Sequence, residues 1–145
     1  MALGPLNQAP AYLIYRLSRL LRLNLRQVLD AQETDVTPEQ YFLLYRLYER
    51  DGRAQNELAD RALGDYPNMT RMVDGLERKA LVERRDDPDD RRRSLVWLTP
   101  KGQATMRSLE PAIERERGRL FGDIDAAALQ AALHVLADLQ TRLIE

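Results

Sequence analysis

The stretch from Asp65 to Thr99, DYPNMTRMVDGLERKALVERRDDPDDRRRSLVWLT, decides the fold. Its first half predicts a short helix that begins at Pro67 and carries arginine on its polar side. Its second half predicts two short strands, 81–85 and 94–98, joined by a loop of aspartates and arginines around Pro88. A helix followed by a charged hairpin is typical of a winged helix-turn-helix. The expected fold class is therefore mainly α with a small β-hairpin wing.

A second short helix is predicted directly upstream, over residues 55–63. The intervening Leu63-Gly64-Asp65-Tyr66 predicts a tight turn, because Gly64 readily adopts the left-handed conformation that ends a helix. Two short helices joined by a glycine-containing turn indicate a helix-turn-helix, although αα-hairpins share the pattern.

The polar side of the second helix offers candidate DNA contacts. Its inner face is formed by Met69, Met72, Val73, Leu76 and Ala80. In a recognition helix the N-terminal residues reach base edges, where asparagine pairs with adenine and arginine with guanine. The alternative for Asn68 is a first-turn residue whose side chain hydrogen-bonds the free backbone amides. The candidate contacts are Tyr66, Asn68, Thr70, Arg71 and Arg78.

The hairpin tip carries four aspartates and three arginines, so its charges nearly balance. One interpretation is a solvated hairpin whose charges satisfy one another. The functional interpretation is that Asp90 braces the hairpin while Arg91 or Arg92 projects into a minor groove, where arginine is favoured electrostatically.

Leucine-rich helices flank this lobe, giving about six helices in all. Helices are predicted over 12–32, from Thr37-Pro38 to about Arg50, from Thr99-Pro100 to about Phe121, and after Asp125. Pro111 is expected to kink or split the third of these. The first and last leucine stripes need a second chain to cover them, which predicts a two-fold dimer. The expected organisation is a single domain, 1–145, with a DNA-binding lobe at 36–100 and a helical dimerisation region at 1–35 and 101–145.

Composition excludes several classes of protein. The 145 residues are 44% hydrophobic and 31% charged, which fits one globular domain. There is no apolar run of about 18 residues and no signal-peptide pattern, so we expect a cytoplasmic protein without a membrane partner. Cysteine is absent and His134 is the single histidine, so no metal site, cofactor or enzyme chemistry is expected. The net charge of −1 and the pI near 5.9 argue against non-specific nucleic-acid binding.

The segment 58–102 resembles the MarR family of bacterial transcriptional regulators. The resemblance rests on residues of both helices and the first strand, on the wing from Asp86 to Arg92, and on the exit Leu98-Thr99 with Gly102. It implies a homodimer that binds a palindromic operator in double-stranded DNA, often as a repressor, and is often released by a phenolic or anionic aromatic compound. It also implies that Asn68, Thr70 and Arg71 contact bases or phosphates. The matching helix and strand residues are Leu58-Ala59, Leu63-Gly64, Thr70-Arg71, Val73, Leu76-Glu77, Leu81-Val82 and Arg84.

The sequence departs from the family pattern at Ala54, where a capping hydroxyl is usual, and at Gly75 within a helix. It also departs at Tyr66, where a small polar residue is usual. The base preference of the family therefore does not transfer to this chain.

An effector pocket is predicted from two helices. It would be lined by Tyr12, Tyr15, Arg16, Tyr41 and Tyr45, and would suit a small phenolic compound or an aromatic carboxylate paired with the arginine. The alternative is that these tyrosines form a packed joint and the regulator has no effector. A further alternative, favoured by the acidic pI, is a winged-helix module that binds protein rather than DNA.

Overall fold

The computed structural model describes residues 3–60 and 66–144, so the turn predicted at Leu63-Gly64-Asp65 lies outside the described residues. The mainly helical fold with its small antiparallel sheet confirms the predicted fold class. Within the described ranges the elements are α1 (Pro10–Ala31), α2 (Pro38–Glu49), β1 (Arg53–Ala54), α3 (Gln55–Leu58), α4 (Met69–Arg78), β2 (Val82–Asp86), β3 (Ser94–Leu98), α5 (Pro100–Phe121) and α6 (Ala126–Ile144).

The helices start where capping chemistry predicts. The Thr37 hydroxyl accepts the Gln40 N–H at 3.2 Å and the Gln40 side chain accepts the Thr37 N–H at 3.1 Å, a complete capping box. Thr99 caps α5 by accepting the Gly102 N–H at 3.0 Å. The Asp125 carboxylate accepts a backbone N–H of α6 at 3.0 Å. These predicted starts are confirmed.

A three-stranded antiparallel sheet forms the base of the wing. Strand β3 is central, in the order β1-β3-β2. In the hairpin, Val82 lies opposite Leu98 and Asp86 opposite Ser94. The two-residue strand β1 was not predicted, because two residues are too few to show an alternating pattern.

Helix α2 is the central helix of the fold. It contacts α1, α5 and β3. Removing each fully buried leucine from water stabilises the fold by about 1.5–3 kcal/mol. The fully buried apolar side chains include Leu29, Leu43, Leu44, Leu47, Leu58, Val73, Leu76 and Val96.

Two predicted helices differ from the structure. The helix predicted over 55–63 ends at Leu58, because Ala59 is extended with φ −74° and ψ 136°. Residues 61–63 of that prediction lie outside the described residues. The Leu58 carbonyl accepts a hydrogen bond from the Arg46 guanidinium instead of continuing the helix. Of the kink or split expected at Pro111, the split is wrong, since α5 runs through it as one element. Pro111 is exposed, so water can solvate the carbonyl that lacks its helical N–H.

Helices α1 and α6 leave large apolar faces uncovered. Helix α1 packs on the core through Leu25 and Leu29 near its end, while its first half projects from the core. No residue of α6 is buried. No single helix among the described residues is long and apolar enough to cross a membrane. Helices α5 and α6 have that length and apolar composition only when taken together, as a pair bent by 101°. The exposed apolar side chains include Leu13, Ile14, Leu17, Leu20 and Leu21 of α1, and Leu133, Val135, Leu136, Leu143 and Ile144 of α6.

Candidate nucleic-acid interface and ligand cleft

Helix α4 is amphipathic, with an apolar side that faces the core and a polar side that faces solvent. Met69, Val73 and Leu76 are buried on the inner side. A 3-10 turn over Tyr66–Asn68 leads into the helix. Asn68 makes no side-chain capping hydrogen bond, so its amide is not engaged in the alternative role considered from the sequence. The five candidate DNA contacts of this segment are all exposed, and they are Tyr66, Asn68, Thr70, Arg71 and Arg78.

Arg84 of β2 fastens α4 to the sheet. Its guanidinium pairs with Asp74 at 2.8 Å and with Glu77, both on α4. It also donates to the Gln55 side-chain oxygen, at 3.3 Å from Nε and 3.2 Å from Nη2. Gln55 in turn donates from Nε2 to the Thr70 hydroxyl at 2.8 Å. One side chain therefore links β2, α3 and α4.

The wing is braced from inside by Asp87. This residue is buried, with 4% of its surface exposed. Its carboxylate accepts from Arg93 Nε at 2.6 Å and from the Asp89 N–H at 2.9 Å. The Arg93 hydrogen bond, assisted by the Asp89 N–H, holds the pKa of the Asp87 carboxyl below its ordinary value. The Arg93 side chain, which is 43% exposed, is thus paired with the buried Asp87 within the wing.

Arg91 and Arg92 face outward at the wing tip. Both are exposed, and the Arg92 side chain is 92% exposed. The Asp90 carboxylate accepts the Arg92 N–H at 3.0 Å and lies 3.2 Å from Arg92 Nε. Asp90 therefore shapes the tip around Arg92, whereas Asp87 holds the base of the loop.

Trp97 anchors the wing to the lobe. The Arg85 guanidinium lies over its ring, 4.9 Å from the centroid. The ring also covers Gly52, in the turn between α2 and β1. The Asp51 carboxylate in that turn accepts the N–H of Leu98 at 2.9 Å. The wing is therefore tied to the end of α2 as well as to α4.

Polar contacts join α1 to α2 and to α5. Arg22 forms a bidentate ion pair with Glu39 of α2, with N···O distances of 2.6 and 3.1 Å. The hydrogen bond from Arg22 lowers the pKa of the Glu39 carboxyl. Asn24 donates to Glu116 of α5 at 2.8 Å. The arginines Arg19, Arg22 and Arg26 of α1 are all exposed.

A cleft of about 320 Å³ lies between α2 and α5. The Tyr48 hydroxyl donates to Glu110 at 2.7 Å, which raises the pKa of the Tyr48 phenol because the phenolate would face a carboxylate. Arg117, the cation in the lining, pairs with Glu114 at 2.9 Å. The cleft is thus aromatic and bears more acid than base. Its lining is Tyr41, Tyr45, Tyr48, Glu49, Met106, Glu110, Ile113, Glu114 and Arg117.

The pocket predicted from five residues is not formed within the chain. Tyr41 and Tyr45 lie in the α2–α5 cleft. Tyr12, Tyr15 and Arg16 lie in a separate, wider concavity along α1. The reason is that only the second half of α1 packs on the core, so its first half is held away from α2.

Sequence reasoning missed several residues that position these surfaces. Gln55 carried no signal, since a single glutamine at a helix start is common. Arg84 did carry a signal, because a polar residue in the middle of a strand needs a specific hydrogen-bonding partner. Asp87 could not be distinguished from its aspartate neighbours, because only the folded hairpin shows which carboxylate turns inward.

The described elements define a class of protein. Two short helices, α3 and α4, precede a charged antiparallel hairpin that pairs with a third strand, which is the winged helix arrangement. In proteins of this class the second of the two short helices reads DNA from its polar side.

Comparison with known proteins narrows the class to a family. The model of the MarR family matches residues 36–94. The transcriptional regulator HosA of Escherichia coli O111:H- is 31% identical over 93 residues, which cover 61% of this chain and 69% of HosA. PcaV from Streptomyces coelicolor, solved in complex with its natural ligand, is 27% identical with a TM-score of 0.79 over 100% of both chains. MepR from S. aureus, in its DNA-binding conformation, is 26% identical with a TM-score of 0.79 over 92% of this chain and 97% of MepR.

The chain belongs to the MarR family of transcriptional regulators, and it is not an enzyme.

Proposed function

We propose that this protein is a sequence-specific regulator that binds double-stranded DNA as a homodimer, with α4 in the major groove and the wing tip at the adjacent minor groove. The observation that carries the proposal is the division of α4, whose apolar side is buried while Asn68, Thr70 and Arg71 are exposed at its N-terminal end. Recognition helices contact base edges with residues of these types at their N-terminal end.

Each exposed residue receives a role from its chemistry. Arg71 pairs with guanine or a phosphate, Asn68 pairs with adenine, and Tyr66 and Arg78 contact the backbone. At the wing, Arg92 or Arg91 enters the minor groove, and Asp90 braces the loop that carries them.

The uncovered faces of α1 and α6 support the homodimer. The proposed lobe covers 36–100, and the proposed dimerisation region comprises 1–35 and 101–145 within a single domain, 1–145. A two-fold dimer reads a palindrome whose half-sites lie about 10 or 20 base pairs apart. A dimer bound over a promoter blocks transcription, so we propose a repressor that acts in the bacterial cytoplasm.

An aromatic effector is proposed for the α2–α5 cleft. PcaV binds its natural ligand with the same fold. Because the lining carries Glu49, Glu110 and Glu114 against Arg117, a neutral phenol or an aromatic cation is favoured over the aromatic carboxylate predicted from Arg16. The ligand releases DNA by favouring a dimer whose recognition helices have another spacing.

Selection of genomic DNA fragments by the purified protein tests the DNA proposal. We expect enrichment of a palindrome, together with lower expression of a reporter placed behind it when the protein is present. If no DNA is enriched and a bound protein is recovered instead, the alternative of a protein-interaction module replaces the proposal.

The effector proposal has its own test, with matched ligands of one ring size. Phenol, salicylate and trimethylanilinium are added to the protein–DNA complex while DNA release and the Tm of the protein are followed. Release by phenol or the cation, and not by salicylate, supports the cleft assignment. Release by salicylate alone contradicts it.

A further inference from the structure

We propose that Gln55 and Arg84 are positioning residues that hold the Thr70 hydroxyl as a hydrogen-bond donor toward DNA. The inference deepens the proposed function and rests on it. It makes Thr70 the donor in one hydrogen bond between the recognition helix and DNA. That contact is therefore limited to groups on DNA that accept a hydrogen bond.

The orientation of the Gln55 amide follows from its contact with Arg84. A guanidinium has N–H donors and no acceptor, so the atom that faces it must be the amide oxygen. The observed contacts of 3.3 Å and 3.2 Å join Arg84 Nε and Nη2 to Gln55 Oε1. The reverse orientation would set donor against donor. The amide NH₂ is therefore turned toward Thr70.

Arg84 is itself held firmly. Its side chain is only 23% exposed and is paired with Asp74 at 2.8 Å and with Glu77. Its Nη2 also donates to the Thr70 carbonyl at 3.3 Å. Two carboxylates balance its charge, so Arg84 acts through its neighbours and not as a DNA contact.

The direction of the Thr70 hydrogen bond follows. Its hydroxyl oxygen accepts from Gln55 Nε2 at 2.8 Å. Among residues 3–60 and 66–144, no acceptor takes the hydroxyl proton, and Thr70 is exposed. The proton is thus left for an acceptor outside the protein.

Operator DNA offers such acceptors in two places. A phosphate oxygen is one, and the N7, O6 or O4 atoms on the major-groove edges of guanine, adenine and thymine are the other. Cytosine presents only an amino donor on that edge. A base read by this hydroxyl is therefore not cytosine.

A double-variant comparison on the selected operator tests the arrangement. Thr70→Val removes the hydroxyl at nearly constant size, and we expect it to weaken binding about fivefold per half-site. Gln55→Glu replaces the amide donor by an acceptor, so the Thr70 proton turns inward. Thr70→Val should then have no further effect in the Gln55→Glu protein.

Asn56→Asp is the matched control, because it adds the same charge at the next exposed residue of α3. In that background Thr70→Val should keep its full effect. Equal losses in the Gln55→Glu and Asn56→Asp backgrounds would overturn the proposal. If Gln55→Glu does not fold, Gln55→Met is used, and an undiminished effect of Thr70→Val there overturns it equally.

Modified operators distinguish the two acceptors. Methylphosphonate linkages remove phosphate charge, 7-deazapurines remove N7, 2-aminopurine in place of guanine removes O6, and 5-methyl-2-pyrimidinone in place of thymine removes O4. At one position of one of these scans the wild type should lose affinity while Thr70→Val does not, whereas no such position in any of them contradicts the proposal. Failure of the proposed DNA-binding function would give a different result. The wild type would then select no DNA, and Arg71→Ala would not change DNA binding.

Discussion

The substitution Gly52→Ala probes the root of the wing. Gly52 has a φ of +66°, a conformation that alanine adopts only at a cost. A Cβ at this position would lie 2.3 Å from Trp97 Cζ2 and 2.5 Å from Cη2. The indole must therefore move, and with it the strand β3 and the Arg85 side chain stacked on the ring.

Backbone strain and overpacking together determine how far Gly52→Ala lowers the free energy of unfolding. Left-handed backbone costs about 1–2 kcal/mol in a residue with a Cβ, and overpacking costs about 1–3 kcal/mol. Together they predict that Gly52→Ala lowers the free energy of unfolding by about 2–5 kcal/mol. Gly118→Ala is the matched control, because Gly118 lies within α5 and its added Cβ would have nothing within 4 Å. It should raise stability by about 0.5–1 kcal/mol.

Urea unfolding followed by the fluorescence of Trp97, the single tryptophan, measures both variants. They are compared with the wild type at one protein concentration, because the stability of the proposed dimer depends on it. Gly52→Ala should also weaken operator binding by displacing the wing. Equal midpoints for Gly52→Ala and wild type would refute the described contact between Gly52 and Trp97.

Three further predictions concern other parts of the molecule. Thr37→Ala removes the capping box of α2 and should lower the free energy of unfolding by about 1 kcal/mol in the same assay. Because the pKa of Asp87 is lowered in the fold, its carboxylate stabilises the wing above the ordinary pKa near 4, and this contribution is lost as the pH falls below it. Asp87→Asn should thus be less stable at pH 7, with a shallower loss in acid titrations followed by Trp97 fluorescence. Leu136→Glu places charge on the uncovered face of α6, so sedimentation should show a monomer with weakened operator binding; an unchanged dimer would refute that interface.

Local signals in the sequence predicted the parts of the fold that depend on local chemistry. The starts at Thr37, Thr99 and Asp125 follow from side chains that cap their own helix, so no distant contact is needed to place them. The buried face of α4 follows equally from its apolar spacing. The helix order and the wing were predictable for these reasons.

Features set by distant contacts were not predictable in this way. Helix α3 ends at Leu58 because Arg46, from another helix, takes its carbonyl. The five residues expected to share one pocket are separated because the first half of α1 projects from the core. Likewise, Asp87 becomes the buried brace only once the hairpin brings Arg93 beside it. Each outcome depends on tertiary packing that single-residue patterns do not contain.

The central claim is that α4 contacts DNA through Arg71, the exposed arginine near its N-terminal end. The most direct measurement is the affinity for the selected operator as a function of salt, for the wild type, Arg71→Ala and Arg115→Ala. Arg115 is an exposed arginine of α5, outside the proposed DNA-binding lobe. Affinity should fall steeply with salt in the wild type and in Arg115→Ala. In Arg71→Ala it should be weaker, with a log–log slope reduced by about 2, one for each protomer. Identical affinity and slope for all three proteins would contradict the claim.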